Sequence, residues 1–135
     1  MDLLFLAKKI AVLIEQEADL VKVPVTVTVI DVHGNMVLQH RMNGAPAFSM
    51  LISERKAYTS ALIRVRTADL FHLVQPGKEL FHLISQERFC AMGGGAPLEQ
   101  GEEFAGGVGV SGGTVAEDVK ILEAALRLAK ETAAN

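Results

Sequence analysis

The chain has 135 residues, half of them apolar, with six Phe, one Tyr and no Trp. That length suits one domain, and the apolar share excludes a disordered chain, a collagen and a disulfide scaffold. Thirteen basic against sixteen acidic residues give a formal charge of −3; the short Lys8-Lys9, Arg55-Lys56 and Arg64/Arg66 clusters carry no interleaved aromatics, so no nucleic-acid partner is expected.

Residues 3–18 place Leu3, Leu6, Ala7, Ile10, Leu13, Ile14 and Ala18 at helical spacing, with Lys8, Lys9, Glu15 and Gln16 on the other side. Val23 to Val32 then alternates Val with Thr and is the strongest strand signal in the chain. His33-Gly34-Asn35 supplies turn chemistry, and Met36 to Met42 reads as the returning strand of a hairpin. From Phe48 to about Val65 the helical period returns, with Ile52, Ala57, Ala61 and Val65 as core candidates. Thr67 is placed to cap a second, short helix that Gln75-Pro-Gly77 ends. Arg88–Met92, Pro97–Gln100 and Phe104–Val110 are strand candidates separated by glycines. Thr114-Val-Ala-Glu117 is a capping box for a last helix running to about Ala133. The order is α-β-β-α-α-β-β-β-α, an α+β domain spanning 1–135 with helices packed on an antiparallel sheet. No repeat or low-complexity linker divides it.

Cys90 is the only cysteine, so no intrachain disulfide forms, and its apolar setting reads as that of a small buried hydrophobe. No apolar run approaches the ~18 residues of a membrane span, and no basic n-region opens the chain. A cytoplasmic protein with no membrane partner is expected.

Gly107-Val-Gly109-Val-Ser-Gly112 fits G-x-G-x-x-G between a strand and a helix. Only 23 residues follow Gly112, all taken by one helix, so a dinucleotide fold has no chain for its second parallel strand or its ribose-binding acid. Close strand–helix packing is the favoured alternative. A weaker one has the backbone N–H groups of Ser111–Thr114 holding a carboxylate or phosphate. Gly93-Gly-Gly-Ala-Pro97 suits a tight turn, or a wall that a ligand approaches closely. The four histidines, His33, His40, His72 and His82, include no i,i+4 metal pair and read first as surface or satisfied residues, though one or two suffice as axial ligands of a haem or corrinoid. Glu99 and Glu102 lie three apart in a turn that could hold a hard or ferric ion loosely, with a solvated acidic turn the favoured reading. No serine has a nucleophile-elbow context. Ser53-Glu-Arg-Lys-Ala-Tyr-Thr59 packs acid, bases, phenol and hydroxyls into two helical turns, either as a salt-bridged outer face or as the lining of a polar pocket.

Pro24-Val-Thr-Val-Thr-Val-Ile-Asp31, Gly34, Arg41-Met-Asn-Gly-Ala-Pro46, Lys56-Ala-Tyr-Thr59, Thr67-Ala-Asp-Leu70, Gly93-Gly-Gly-Ala-Pro97 and Gly107-Val-Gly-Val-Ser-Gly-Gly113 occur in that order. Together they resemble the GlcG/HbpS family, which includes haem-binding proteins and the C-terminal domain of PduO-type cobalamin adenosyltransferases. The resemblance covers nearly the whole chain. It implies a profilin-like sandwich with a sheet of about five strands and flanking helices, and a homo-oligomer. It further implies haem or ferric iron as ligand in some members, with haem degradation proposed, and gene neighbourhoods of glycolate use or of B12-dependent diol and glycerol dehydratases; the tetrapyrrole read for this chain is haem or a corrinoid. The haem-binding PduO-type domain is expected to place an axial histidine in its first helix, and the first helix here has none.

The expected function is a small-molecule, tetrapyrrole-binding accessory protein. Arg41, Lys56, Tyr58, Gly93, Gly94 and Gly95 form its candidate cofactor site: cations for propionates or amide edges, glycines for a flat ring against backbone. No catalytic residue and no metal ligand is assigned. Two alternatives stand beside it: a small enzyme acting on a hydroxy acid or aldehyde, with Lys56 as its ionic or Schiff-base group, and a non-catalytic assembly partner of a metabolic enzyme.

Overall fold

The structure, a computed structural model, describes residues 2–134; Met1 and Asn135, the ends of the expected domain, lie outside the described residues. Helix α1 (Leu3–Val21) starts where the Asp2 carboxylate accepts the Phe5 N–H, and it buries Ala7, Ile10, Ala11, Ile14 and Ala18. Lys22 ends it in the left-handed conformation, and Val23 returns its N–H to the Ala18 carbonyl. The stripe read from the sequence is the stripe that packs.

Strands β1 (Thr26–Asp31) and β2 (Met36–Arg41) form the expected hairpin. Its turn is closed by the Asp31 carboxylate, which accepts the N–H groups of His33 and Asn35. Helix α2 (Phe48–Ile63) and the single turn α3 (Thr67–Leu70) follow. Two 3₁₀ turns, Phe71–Leu73 and Phe81–Ser85, repeat the sequence Leu-Phe-His-Leu ten residues apart. Strands β3 (Gly95–Gln100) and β4 (Glu103–Ser111) complete one antiparallel sheet of order β2-β1-β4-β3, and α4 (Val115–Ala134) ends the described chain.

Helices α1 and α4 cover one face of the sheet, where Val27, Val29, Val108, Val110 and Leu38 meet Ile10, Ile14, Ile121 and Leu122 in the apolar core. Helix α2 covers the other face, and it does so with its polar side. Ser49 and Ser53 hydroxyls lie 2.7 Å from those of Thr26 and Thr28, while Phe48, Met50, Leu51 and Leu62 are exposed. Alternation in β1 thus sends Val to one layer and Thr to the other. Small residues bring α2 very close: a Cβ at Gly109 would collide with the Ser53 carbonyl oxygen and lie 2.7 Å from the Ala57 nitrogen. Close strand–helix packing is the role of that glycine, and the helix involved is α2 rather than the one that follows it.

Among the described residues the sheet has four strands, not five. Arg88–Met92 is irregular, because it lies on α2 instead of at a sheet edge. The Arg88 guanidinium stacks on the Tyr58 ring at 3.8 Å, and the Cys90 N–H is donated to the Thr59 hydroxyl. Thr67 also differs from expectation. It is the first residue of α3 and buried, and its hydroxyl accepts the Gly95 N–H at 2.8 Å. It ties β3 to α3 instead of capping the helix.

Candidate functional site

An open cleft of about 490 Å³ lies between α1 and the end of β2, lined by Glu15, Asp19, His40, Arg41, Met42 and Asn43. Alternation along β2 explains who points into it. Leu38 is buried against α1, so His40, two residues on, emerges on the same helix-bearing face. There its Nδ1 lies 3.1 Å from a Glu15 carboxylate oxygen. Arg41 also lines the cleft and donates its Nε–H to the Ala45 carbonyl at 3.0 Å, and the Met42 sulfur accepts the Val25 N–H at 3.5 Å. Val12, one turn before Glu15, adds an exposed apolar side chain to that flank of α1.

Of the residues grouped from the sequence, Arg41 alone lines this cleft. Lys56 is neither on an outer face nor in a pocket. It is 1% exposed, and its Nζ donates to the Val110 carbonyl (2.8 Å) and to the Asp118 carboxylate (3.2 Å). Gly94 and Gly95 do gather around Lys56. At Gly94, where φ is +121°, a Cβ would stand 2.8 Å from Nζ, and at Gly95 it would stand 2.7 Å from the Lys56 carbonyl oxygen. Gly93 packs under Val115 and Val119 of α4. Tyr58 sits apart, between Arg88 and Phe89. Strands β2 and β3 are opposite edges of the sheet, so Arg41 and the glycines cannot meet across it.

Asp118 completes the buried pair. Its other oxygen accepts the Gly113 N–H at 3.0 Å. Burial pushes its carboxyl above the ordinary carboxylate value, and the Lys56 ammonium and the Gly113 N–H only partly pull it back. The capping box forms as expected: the Glu117 carboxylate accepts the Thr114 N–H at 2.8 Å, and the Thr114 hydroxyl accepts the Glu117 N–H at 3.1 Å. The start of α4 is therefore occupied by the chain's own carboxylates, which corrects the idea that Ser111–Thr114 hold an outside anion. Glu99 and Glu102 lie exposed around the β3–β4 turn. No group of three His, Cys, Asp or Glu among the described residues is placed to hold a metal ion.

Sequence reasoning missed two partnerships, Glu15–His40 and Lys56–Asp118, whose members lie 25 and 62 residues apart. The Leu38–His40 alternation was the one signal for the first. The second had none, because nothing local distinguishes an inward lysine on a helix whose apolar residues face outward.

The family model for the haem degrading protein HbpS-like family matches residues 4–127. The chain is 42% identical over 122 residues to a 15.0 kDa protein of the dhaT-dhaS intergenic region of Citrobacter freundii, covering 89% of this chain and 86% of that one. It is 34% identical over 113 residues to the corrinoid adenosyltransferase PduO of Salmonella typhimurium, covering 82% of this chain but only 34% of that protein. A crystal structure of a PduOC:heme complex superposes with a TM-score of 0.83 at 30% identity, covering 89% of this chain and 88% of that one. The chain belongs to the HbpS-like family of haem degrading proteins.

Proposed function

We propose that this protein binds a tetrapyrrole, with haem first and a corrinoid second, as an accessory protein of cobalamin-linked diol or glycerol metabolism in the cytoplasm. The observation that carries the proposal is the likeness, over nine-tenths of the chain, to a domain crystallised with heme. The residues present fit such a group. The α1–β2 cleft falls in the ~300–1,000 Å³ range of small-molecule sites. It offers an imidazole, a thioether and an arginine at its rim, and these are the groups that ligate haem iron and pair with propionates. When bound, haem would supply redox and oxygen chemistry. This chain's own residues would bind and orient it.

Arg41 is the cation placed to pair with a propionate. Lys56, Gly94 and Gly95 act at one remove, by fixing α2, β3 and α4 to each other, and Tyr58 holds the Arg88–Met92 segment on α2. Titrating the purified chain with hemin and, separately, with cobalamin tests the proposal. A saturable Soret or corrin band shift supports it, and no shift with either at micromolar protein sinks it. An Arg41→Ala chain should bind hemin more weakly while keeping its fold.

The Schiff-base alternative finds no support, since a buried, ion-paired ammonium is closed to an aldehyde. Self-association is part of the proposal. Phe71, Leu73, Leu80, Phe81, Ile84 and Met92 are exposed together around the two 3₁₀ turns, and so much apolar surface on one segment suits a contact between copies. Light scattering that finds only monomers would remove that part. No helix among the described residues is long and apolar enough to cross a membrane.

A further inference from the structure

We infer that His40, on the edge strand β2 and oriented by Glu15 of helix α1, is this protein's iron ligand when hemin occupies the cleft. The inference rests on the tetrapyrrole binding proposed above and adds to it the ligating atom. Three observations carry it.

The first is position. His40 is the only one of the four histidines that lines the cleft, and its side chain is about half exposed at 48%. His33 lies in the hairpin turn, and His72 and His82 each sit against the preceding Phe ring in the two 3₁₀ turns. The second is the tautomer. A carboxylate is an acceptor only, so at 3.1 Å from Glu15 it is Nδ1 that donates, and Nε2 is the nitrogen turned away from the carboxylate. Metal-ligating histidines commonly carry this arrangement, in which a second group holds the far N–H, fixes the ring plane and raises the basicity of the ligating nitrogen. The third is the environment. Glu15 and Asp19 of α1 line the cleft with His40, Arg41 follows it on the strand, and Met42 adds a soft thioether to the lining.

The chemistry would be a single coordination: Nε2 would supply the lone pair that holds the iron, and Nδ1 would keep its proton, hydrogen-bonded to the Glu15 carboxylate. Helix α1 carries no histidine. It contributes the carboxylate that orients a ligand supplied by the strand beside it.

The test uses tag-free full-length chain, hemin as probe, and four proteins: wild type, His40→Ala, Glu15→Gln and the His72→Ala/His82→Ala double variant. Absorption, the ferrous Fe–N(imidazole) stretch by resonance Raman and hemin affinity are read on each. Wild type and the His72/His82 double variant should share one spectrum with an Fe–N(imidazole) band. His40→Ala should lose that band and regain it on adding free imidazole, a rescue that a merely structural role would not give. Glu15→Gln should keep ligation but show a lower stretch and hemin affinity weaker by about tenfold.

His40→Ala with a wild-type band overturns the inference and leaves tetrapyrrole binding standing. Loss of the band in the His72/His82 variant overturns it in favour of the 3₁₀ turns. Glu15→Gln with unchanged stretch and affinity overturns the role of Glu15. A wild-type chain that takes up no hemin overturns both the ligand and the binding it rests on.

Discussion

Two pairs in this molecule join a basic side chain to a carboxylate at nearly the same distance, 3.2 Å for Lys56–Asp118 and 3.1 Å for His40–Glu15. They differ in water. The lysine pair is 2% and 3% exposed and the histidine pair 48% and 27%. Inside, each charge needs partners in place of water, and the chain supplies the Val110 carbonyl and the Gly113 N–H as third and fourth members. Outside, water shares the work, so the imidazole can leave one nitrogen uncommitted. Burial therefore separates the two pairs: one ties three elements together, and the other leaves the second imidazole nitrogen facing the open cleft.

The comparison can be broken at its buried end first. Lys56→Met strands the Asp118 carboxylate and the Val110 carbonyl, and should lower unfolding free energy by about 3–5 kcal/mol in urea denaturation. Adding Asp118→Asn to it should restore most of the loss, because an uncharged pair no longer needs matching. A double variant as weak as the single would mean that the lysine stem, rather than its charge, matters. Next in size is Gly109→Ala, which drives α2 off the sheet and should cost about 1–3 kcal/mol by overpacking, read from the same denaturation curves.

A smaller effect tracks pH. Asp118 has its carboxyl raised by burial above an unfolded value near 3.8. Between the two values the folded chain binds more protons than the unfolded one. This group's contribution is therefore greatest at low pH and is lost as pH rises through the folded value. The stability of wild type relative to Asp118→Asn should fall over that acid window, and a flat difference would contradict the assignment. The smallest effect belongs to the exposed pair. Glu15→Gln should change stability by no more than about 1 kcal/mol, and its clearer readout is the about tenfold weaker hemin affinity.

Much of the frame was legible in the sequence for physical reasons. The Leu3–Ala18 stripe, the Val/Thr alternation of β1 and the Thr114–Glu117 box each encode their structure within a few residues, so local rules suffice. Helix α2 was readable as a helix but not as to its facing. Its inward side is Ser49, Ser53, Lys56, Ala57 and Ser60, and its large apolar residues face out, so hydrophobic periodicity points away from the sheet. Ala57 and Ala61 are in the core as expected, whereas Ile52 is only half-buried. The extra strand assigned to Arg88–Met92 fails because an apolar run specifies burial without specifying a hydrogen-bonding neighbour. At the site, Arg41 was found from its motif. His40 was noticed but left unpartnered, since its carboxylate comes from an element 25 residues earlier.

The start of α4 carries one more consequence. A helix N-terminus ordinarily attracts phosphate, yet here Asp118 and Glu117 sit on its N–H groups as tethered competitors. A ligand in solution must outcompete groups held at the high local concentration of a ring closure. Phosphate esters and nucleotides thus gain little from the start of α4, and selectivity falls to the cleft between α1 and the edge strand β2. There the attraction comes from a single guanidinium and an imidazole. Millimolar inorganic phosphate or ATP should accordingly leave hemin uptake almost unchanged, and crowded metabolite pools would be poor rivals for the cleft.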